Sequence, residues 1–384
     1  MREVGRGLER NASWLGRADA WQQVDTPSLC IDLAALEYNI DHLARWSHGA
    51  GIAVRPHFKS HKCQAIARLQ RAAGAVGLGA ATLAEAEALV EADAGSVLVT
   101  TPIVGTAKLR RLQRLHAAAP ERLLAVVDVP EGVAELEAMA AATGRTLGVL
   151  LEHHAGQERS GCNTLRELEM LVSAIAGSPH LRLRGLQHYF GHLQHVADAG
   201  ERRRLVREST TTVKGMVGTL RANGVILDII TGGGTGTLVP AAEADLYTEL
   251  QPGSYVFMDV QYEEALASDR TLEFQPSLFV AARVGSVRSA ATRGYVTVDA
   301  GQKALSIDAP GPRPRNAAGG ARYECFGDEH GRWHHPAGSP IPARGARVDF
   351  VPAHCDPTVA LHDAYHVFRG TELVAIWPVD ARSY

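Results

Sequence analysis

Short runs of aliphatic and β-branched residues alternate with longer amphipathic segments from about residue 50 to residue 260. We predict eight strands in this region, at 52–58, 75–80, 96–101, 123–129, 146–153, 183–190, 227–232 and 254–258. Intervening segments such as TLAEAEALVEAD carry apolar residues at three- and four-residue spacing, which is typical of helices. Eight strands that alternate with helices predict an α/β fold, a TIM-type (β/α)8 barrel.

The pattern of apolar positions changes after about residue 265. The segments FQPSLFVAARVGSVRS, GYVTVDAG and GARVDFVPAH alternate like half-buried strands, and the Gly- and Pro-rich stretch GPRPRNAAGG interrupts them. We therefore predict a C-terminal β domain at 266–384, after a barrel domain at 27–265. An N-terminal segment at 1–26 is expected to associate with the β domain.

Composition narrows the classes of function. The 384 residues carry a formal net charge of −3, with 46% hydrophobic and 21% charged residues, and form no basic field for nucleic acid or an acidic membrane. The chain starts without an apolar signal-peptide core and has no apolar run long enough to span a membrane. Its five cysteines include no close-spaced ligand pair. These features predict a cytoplasmic protein that acts on small molecules.

Polar residues follow several of the predicted strands. Lys59 follows the first strand, Arg159 the fifth, and Tyr189 and His195 end or follow the sixth, while the glycine-rich segment 231–237 follows the seventh. Functional groups of such barrels gather at the carboxyl ends of the strands. We expect these residues to converge at one mouth of the barrel.

Lys59, in RPHFKSHK, has two interpretations. A lysine at a strand terminus inside a cleft loses its proton more easily and can form a Schiff base with an aldehyde cofactor. Alternatively, Lys59 is a solvated surface lysine beside Arg55 and Lys62, as most lysines are.

The segment TGGGTGT (231–237) offers exposed backbone N–H groups and hydroxyls, which suit a phosphate monoester. Loops after the seventh and eighth strands are the usual phosphate site of these barrels, and Gly253 and Ser254 open the predicted eighth strand. A plain glycine turn is the alternative. The presence of Lys59 across the same barrel mouth favours phosphate binding.

His354 and Asp356 lie two residues apart in AHCDPTV. On a strand they would share one face, and one imidazole with one carboxylate would make a divalent-metal site of the Zn or Mn kind with open positions. The alternative is a buried histidine hydrogen-bonded to an aspartate.

The segments PHFKSHK, ATLAEAE, QERSG, QHYFGHLQH, TGGGTGT, PGSYVFMD, DAGQKALS and HCDPTV resemble, in this order, the D-threonine aldolase and D-serine dehydratase family of alanine-racemase-like pyridoxal-phosphate (PLP) enzymes. The resemblance extends from about residue 25 to the C-terminus. It implies that Lys59 carries PLP and that the chain forms a homodimer. By the same similarity, residues near the cofactor are Thr82, Thr235, Gly253, Ser254 and Tyr262; those at other active-site positions are Arg159, Tyr189 and His195; and those that bind a divalent metal (Mn, Mg or Zn) are His354 and Asp356.

The resemblance also bears on the reaction. The dehydratase branch typically places cysteine at the position of Asp356, so the HCD segment favours an aldolase that cleaves D-threonine-like 3-hydroxy-D-amino acids. A dehydratase of D-serine or D-3-hydroxyaspartate, a racemase, and a PLP-binding protein without turnover are the alternatives. Three positions, His154, His188 and Ala360, differ from the usual residues of the family, which indicates a specialised substrate.

Overall fold

Two β-sheets organise the chain, in a computed structural model that describes residues 6–288, 294–315, 322–336 and 339–382. The strands, in chain order, are β1 (Ser28–Asp32), β2 (Ala53–Val54), β3 (Gly77–Ala80), β4 (Ser96–Val99), β5 (Leu123–Val127), β6 (Leu147–His153), β7 (Leu181–His188), β8 (Ile229–Gly232), β9 (Glu249–Leu250), β10 (Leu278–Arg288), β11 (Gly294–Val298), β12 (Arg313–Pro314), β13 (Arg322–Cys325), β14 (Gly331–His335), β15 (Arg347–Val351), β16 (Ala364–Arg369) and β17 (Glu372–Pro378).

Helices separate the parallel strands and cover them. They are α1 (Arg6–Glu9), α2 (Ala20–Gln23), α3 (Leu33–Ala50), α4 (Gln64–Ala72), α5 (Leu83–Glu91), α6 (Thr106–Ala118), α7 (Pro130–Ala141), α8 (Leu165–Ala176), α9 (Ala199–Ala222), α10 (Leu238–Glu243), α11 (Val260–Ala265) and α12 (Cys355–Ala360). Single 3-10 turns lie at Ala12–Trp14, Phe58–Ser60, Gly191–Leu193, Thr235–Thr237 and Ser254–Val256.

The first sheet is the predicted barrel. Its eight strands run in the order β2-β9-β8-β7-β6-β5-β4-β3, and every pair is parallel. Backbone hydrogen bonds from Val76 N to Val54 O (3.0 Å) and from Gly79 N to Pro56 O (2.9 Å) connect the two ends of this order. The prediction of a TIM-type barrel is confirmed.

Two strand assignments need correction. The eighth barrel strand is β9 (Glu249–Leu250), whereas the segment predicted as that strand, 254–258, begins with the 3-10 turn Ser254–Val256 and contains no strand. Tyr255 and Phe257 are buried there but belong to no strand. The apolar residues of this segment therefore indicated burial correctly, but they do not pair as a strand. The first predicted strand, 52–58, shrinks to β2, since Pro56 lacks the N–H that a central strand needs and a turn begins at Phe58.

A buried ion pair joins β2 to β9. Arg55 Nε lies 2.6 Å from Glu249 Oε1, and Arg55 Nη2 lies 3.0 Å from Glu249 Oε2, with the two side chains 3% and 6% exposed. A further bond from Arg55 Nη1 to Ser96 O (3.2 Å) extends the contact to β4. The pair therefore links strands whose own pairing is only two residues long.

Replacing Glu249 by alanine would leave the guanidinium of Arg55 buried without its counter-charge. We expect E249A to lower the free energy of unfolding by about 3–5 kcal/mol, the usual effect of breaking a buried pair. Urea unfolding followed by circular dichroism measures the change. The control is E243A, which breaks the exposed Arg203–Glu243 pair and should cost less than about 1 kcal/mol. Equal effects in the two variants would contradict this role.

The second sheet has nine strands, which are β1 and the eight strands β10–β17 of the described C-terminal region. Its main order is β13-β14-β11-β10-β1-β16-β17, and β15 pairs with both β10 and β12. Strand β1 lies at its centre, antiparallel to β10 and parallel to β16, with Leu29 opposite Val280 and Tyr365. Residues 28–32, which fall inside the range expected for the barrel domain, thus contribute to the other sheet.

The described part of the N-terminal segment contacts this second sheet. Gly16 N donates to Leu373 O (2.9 Å), and the ring of Trp21 meets the ring of Phe368 edge-on, 4.7 Å between centroids. Within the described residues, no helix is both long and apolar enough to cross a membrane.

Candidate active site

Lys59 and Asp356 follow strands of different sheets, β2 and β15, and meet at the barrel mouth. Lys59 lies in the 3-10 turn after β2, and its Nζ is 2.5 Å from Asp356 Oδ2. The Lys59 side chain is 39% exposed and that of Asp356 is 16% exposed. Burial alone would lower the pKa of Lys59, but the Asp356 carboxylate outweighs it and holds the pKa above its usual value. Burial likewise opposes ionisation of Asp356, yet the charge of Lys59 keeps its pKa below the usual range.

The HCD segment is not a strand. His354 is the residue before α12, and Asp356 lies in the first turn of that helix. The prediction that the two residues share a strand face was therefore wrong in its geometry. An acidic residue is favourable in a first helical turn, and Pro357 is tolerated there because its missing N–H has no helical partner.

Asp259 fixes the start of α12, a role that the sequence interpretation missed. Its Oδ2 accepts a hydrogen bond from Cys355 N (2.9 Å), and its Oδ1 accepts one from Tyr262 N (2.9 Å) and so caps α11. Asp259 is fully buried. One carboxylate thus holds the turn that carries Asp356 against the helix that carries Tyr262. Its position directly before an apolar helical segment is an N-cap signal that could have identified it.

His195 lies beside Tyr262, with ring centroids 4.6 Å apart. Partial desolvation lowers the pKa of His195, and the nearby charges of His354 and Lys59 lower it further. The shift favours the neutral imidazole, which has a free nitrogen lone pair and can accept a proton. The structure therefore places a proton acceptor within electrostatic reach of the Lys59–Asp356 pair.

His354 turns towards another carboxylate that the sequence interpretation missed. Its Nδ1 lies 3.2 Å from Asp308 Oδ2, and Ser306 Oγ donates to the same oxygen at 2.8 Å. Across the described ranges, no group of three or more His, Cys, Asp or Glu residues is arranged to hold a metal ion. The binding of a metal by His354 and Asp356 therefore stays a prediction.

The side chain of His57 contacts the backbone of Lys59. Its Nδ1 accepts a hydrogen bond from the backbone N–H of Lys59 (3.3 Å), and its Nε2 lies 3.0 Å from Thr100 Oγ1. Burial, together with the charge of Lys59, lowers the pKa of His57 to about 3. A neutral ring is consistent with acceptance of the Lys59 N–H by Nδ1. His57 therefore orients the lysine turn.

Arg159 and Tyr189 lie together on one side of the mouth. The guanidinium carbon of Arg159 is 5.6 Å from the ring centroid of Tyr189, and Arg159 Nη2 is 3.3 Å from Glu152 Oε1. Glu152, at the end of β6, is buried and also accepts from Gln187 Nε2 at 2.5 Å. Burial raises the pKa of Glu152 to about 7, and Arg159 moderates that rise. The sequence analysis did not predict Glu152 as the partner of Arg159. Its place at the end of an apolar strand could have indicated it.

The glycine-rich loop meets the turn that follows β9. Thr235 Oγ1 accepts a hydrogen bond from Tyr255 N (3.0 Å), which joins the two segments. No protein acceptor in the described part of the chain takes the backbone N–H groups of Thr235, Gly253 or Ser254, although all three residues are buried. Buried N–H groups are almost always paired, so these three suit an anionic ligand.

Thr82 has a structural contact of its own at the end of β3. Its hydroxyl accepts a hydrogen bond from Glu85 N (3.3 Å) and caps α5. Glu85 in turn pairs with Lys62 at 2.5 Å. The predicted contact of Thr82 with a cofactor stays a prediction.

His188, one of the positions that differ from the family pattern, packs into the scaffold. Its Nδ1 lies 2.9 Å from His153 Nδ1 and its Nε2 lies 3.0 Å from Ser209 Oγ on α9. The ring is completely buried. The His188 side chain thus connects β7 to β6 and to α9.

The chain is similar to characterised proteins over nearly its whole length. Residues 31–261 match the family model of the alanine racemase N-terminal domain, and residues 277–368 match a domain model named for serine dehydratase. D-threonine aldolase of Arthrobacter sp. is 36% identical over 366 residues, which cover 95% of each chain. 3-Hydroxy-D-aspartate aldolase of Paracoccus denitrificans (strain Pd 1222) is 34% identical, over 94% of this chain and 92% of that one.

A solved structure shows the same relationship. D-threonine aldolase from Filomicrobium marinum superposes with a TM-score of 0.88 at 37% identity, and the match covers 94% of this chain and 96% of that chain. The chain therefore belongs to the alanine-racemase-like family of PLP-dependent enzymes, together with D-threonine aldolase and 3-hydroxy-D-aspartate aldolase.

Proposed function

We propose that this protein is a PLP- and divalent-metal-dependent aldolase that cleaves D-threonine-like 3-hydroxy-D-amino acids. The reaction breaks the bond between the α- and β-carbons. The β-carbon and its hydroxyl oxygen leave as an aldehyde, and the α-carbon takes up a proton to give glycine. The substrate is a small amino acid, in agreement with the relatives and with a surface that has no basic field.

The contact between Lys59 and Asp356 carries this proposal. It brings the only lysine that we predict to hold a cofactor within 2.5 Å of a carboxylate that we predict to hold a metal. The two predictions were made from separate segments of the sequence, 297 residues apart. Their meeting at one barrel mouth supports a single site that uses both groups.

The residues around Lys59 fit PLP. The amine of Lys59 would bond to the cofactor aldehyde. The N–H groups of Thr235, Gly253 and Ser254, which have no acceptor among the described residues, would bind its phosphate. When bound, PLP supplies an electron sink for the pair released at the α-carbon. Bonding to the aldehyde, with loss of water, would take the Lys59 nitrogen out of its present ion pair, and the charge of the Asp356 carboxylate would then be unbalanced at that contact.

A divalent metal would restore that charge balance. His354 and Asp356 would hold it, and the open coordination positions would be left for the substrate hydroxyl and water. When bound, the metal supplies a Lewis acid at the hydroxyl oxygen. The choice among Mn, Mg and Zn belongs to experiment.

The remaining roles follow from the chain's own groups. His195, kept neutral by its surroundings, would take the proton of the β-hydroxyl as the carbon–carbon bond breaks. Arg159, held by the buried Glu152, and Tyr189 would orient the cofactor or the substrate. Tyr262 packs against His195 and would limit its movement.

A dehydratase is the second candidate, since residues 277–368 match the domain model named for serine dehydratase. In that reaction Lys59 would remove the α-proton and the β-hydroxyl would leave, which gives a 2-oxo acid and ammonia. We favour the aldolase because position 356 is aspartate, as the aldolase branch has it, and because the two aldolase relatives are 36% and 34% identical.

Product analysis separates the two reactions. The purified protein, supplied with PLP and Mn²⁺, would receive D-threonine, D-phenylserine, D-serine or D-3-hydroxyaspartate in separate assays, with L-threonine as the stereochemical control. We expect glycine and an aldehyde in amounts equal to the substrate lost, and none from L-threonine. A 2-oxo acid with ammonia would replace the aldolase by the dehydratase. Bound PLP without either product would contradict both.

We also propose that the chain is a cytoplasmic homodimer. The proposal rests on the family resemblance for the dimer and, for the location, on the five cysteines, all of which are free thiols. Light scattering coupled to size-exclusion chromatography would give twice the chain mass of 41.1 kDa. A mass equal to one chain would contradict the dimer.

A further inference from the structure

Gln194 fills the space behind the glycine-rich loop. It follows the 3-10 turn Gly191–Leu193 and is only 1% exposed. Its Oε1 accepts a hydrogen bond from Gly236 N (3.0 Å), and its Nε2 donates to Thr237 Oγ1 (2.9 Å). Nε2 also lies 3.4 Å from Phe190 O. Both ends of this buried amide are therefore engaged, mainly with the loop.

Two glycines of the loop owe their identity to Gln194. A Cβ at Gly234 would lie 2.6 Å from Gln194 Oε1, and a Cβ at Gly236 would lie 2.0 Å from Gln194 O. Neither glycine has a positive φ, so backbone conformation does not require glycine at these positions. The close approach of Gln194 does. The Gly236 contact is with the main chain of residue 194, whereas the Gly234 contact is with the amide of its side chain, so Gly234 fits this glutamine in particular.

The hydrogen bonds of Gln194 also decide which loop groups stay available. Gly236 N–H is used by Gln194, while Gly234 N–H is used by Thr237 Oγ1 (3.1 Å), whose orientation Gln194 fixes. The N–H of Thr235, between the two glycines, has no protein acceptor in the described part of the chain. The amide of Gln194 therefore holds the loop in the one arrangement that leaves the Thr235 N–H for a ligand.

We infer that Gln194 is a positioning residue that holds the loop 233–237 in its phosphate-binding shape. The inference rests on the proposed function, because the phosphate in question is that of PLP. The ligand class is a phosphate monoester dianion, which accepts hydrogen bonds and donates none at neutral pH. Gln194 does not touch the cofactor's reacting atoms, and its effect is confined to the phosphate end.

The test compares two aldehydes that differ only in the phosphate. Apoprotein of the wild type and of Q194M is titrated with PLP and with pyridoxal, and cofactor absorbance gives each dissociation constant. Methionine keeps the volume of glutamine but leaves Gly236 N–H unpaired and removes one of the hydrogen bonds that orient Thr237 Oγ1. We expect the PLP dissociation constant to rise roughly ten- to hundredfold. The dissociation constant of pyridoxal should change less than about twofold, because pyridoxal has no phosphate to bind the loop.

Gln64→Met is the matched control. Gln64 is half-buried at the start of α4, and its Nε2 donates to Ala88 O on α5 (3.0 Å), away from the loop. Q64M should lose some stability in thermal unfolding but keep the wild-type ratio of PLP to pyridoxal affinity. A merely structural role for Gln194 would weaken both aldehydes equally in Q194M, and this outcome would overturn the inference, as would an unchanged PLP affinity.

The failure of this inference differs from failure of the proposed function. If the wild type binds PLP and cleaves its substrate while Q194M keeps the wild-type PLP affinity, only the role of Gln194 is lost. If the wild-type protein binds no PLP, the proposed function and the inference fall together.

Discussion

Lys59→Arg is expected to eliminate covalent cofactor binding and to lower the rate of substrate cleavage by on the order of 10³ or more, the scale seen when a covalent or acid–base group is removed. Arginine keeps the positive charge opposite Asp356, now 2.5 Å from Lys59 Nζ. Its guanidinium does not lose its proton in proteins and so cannot bond to an aldehyde. The variant therefore separates the chemical role of the amine from the ion pair.

Borohydride reduction of the PLP-loaded protein, followed by peptide mass spectrometry, measures the covalent bond directly. The wild type should carry the reduced cofactor on the peptide that contains Lys59, and K59R should carry none. Lys62→Arg is the control, because Lys62 is the next lysine and pairs with Glu85 at 2.5 Å. K62R should label as the wild type does. Cofactor on any other lysine of the wild type would refute the assignment.

Asp356→Ala is expected to lower aldol cleavage at saturating PLP by at least about a hundredfold, since removal of a metal ligand costs more than the ten- to hundredfold typical of its outer partners. Covalent PLP loading should persist. Without the Asp356 carboxylate, burial becomes the dominant influence on the pKa of Lys59 and favours the neutral amine that bonds to the aldehyde. Activity would be measured as a function of Mn²⁺ concentration, with PLP absorbance recorded in parallel.

The control for this variant is Asp363→Ala. Asp363 is an exposed aspartate seven residues further along, and it pairs with Arg382 at 2.9 Å. D363A should keep both the activity and the response to Mn²⁺. Two results would refute the metal role of Asp356. One is a D356A variant as active as the wild type, and the other is a wild-type protein that stays active after exhaustive chelation of metal.

Several features of the site were predictable from short segments. Lys59, Arg159, Tyr189 and His195 were located because barrel strands leave a periodic signal and the residues after them share one mouth. The glycine-rich loop was located by composition and by its place after the seventh barrel strand. Each of these inferences needed only information within about ten residues.

Other features depended on partners far away in the chain. The turn that holds Asp356 is fixed by Asp259, which lies 96 positions before Cys355, and Asp356 itself contacts Lys59, 297 positions away. Nothing in the alternation of AHCDPTV distinguished a strand from a helix start, because both place the two polar residues near each other. The apolar run at 254–258 was likewise buried without being paired.

By itself, the sequence determined the barrel, the change to a second region of strands after about residue 265, and the order of the functional segments, since hydrophobic periodicity is a local property of the chain. Tertiary structure alone decided that β1 lies at the centre of the second sheet, opposite residues such as Tyr365. It also decided that Lys59 and Asp356 meet, and that Gln194 shapes the glycine-rich loop. The physical reason is that periodicity reports which side chains are buried, whereas their partners are chosen by the packing of distant segments.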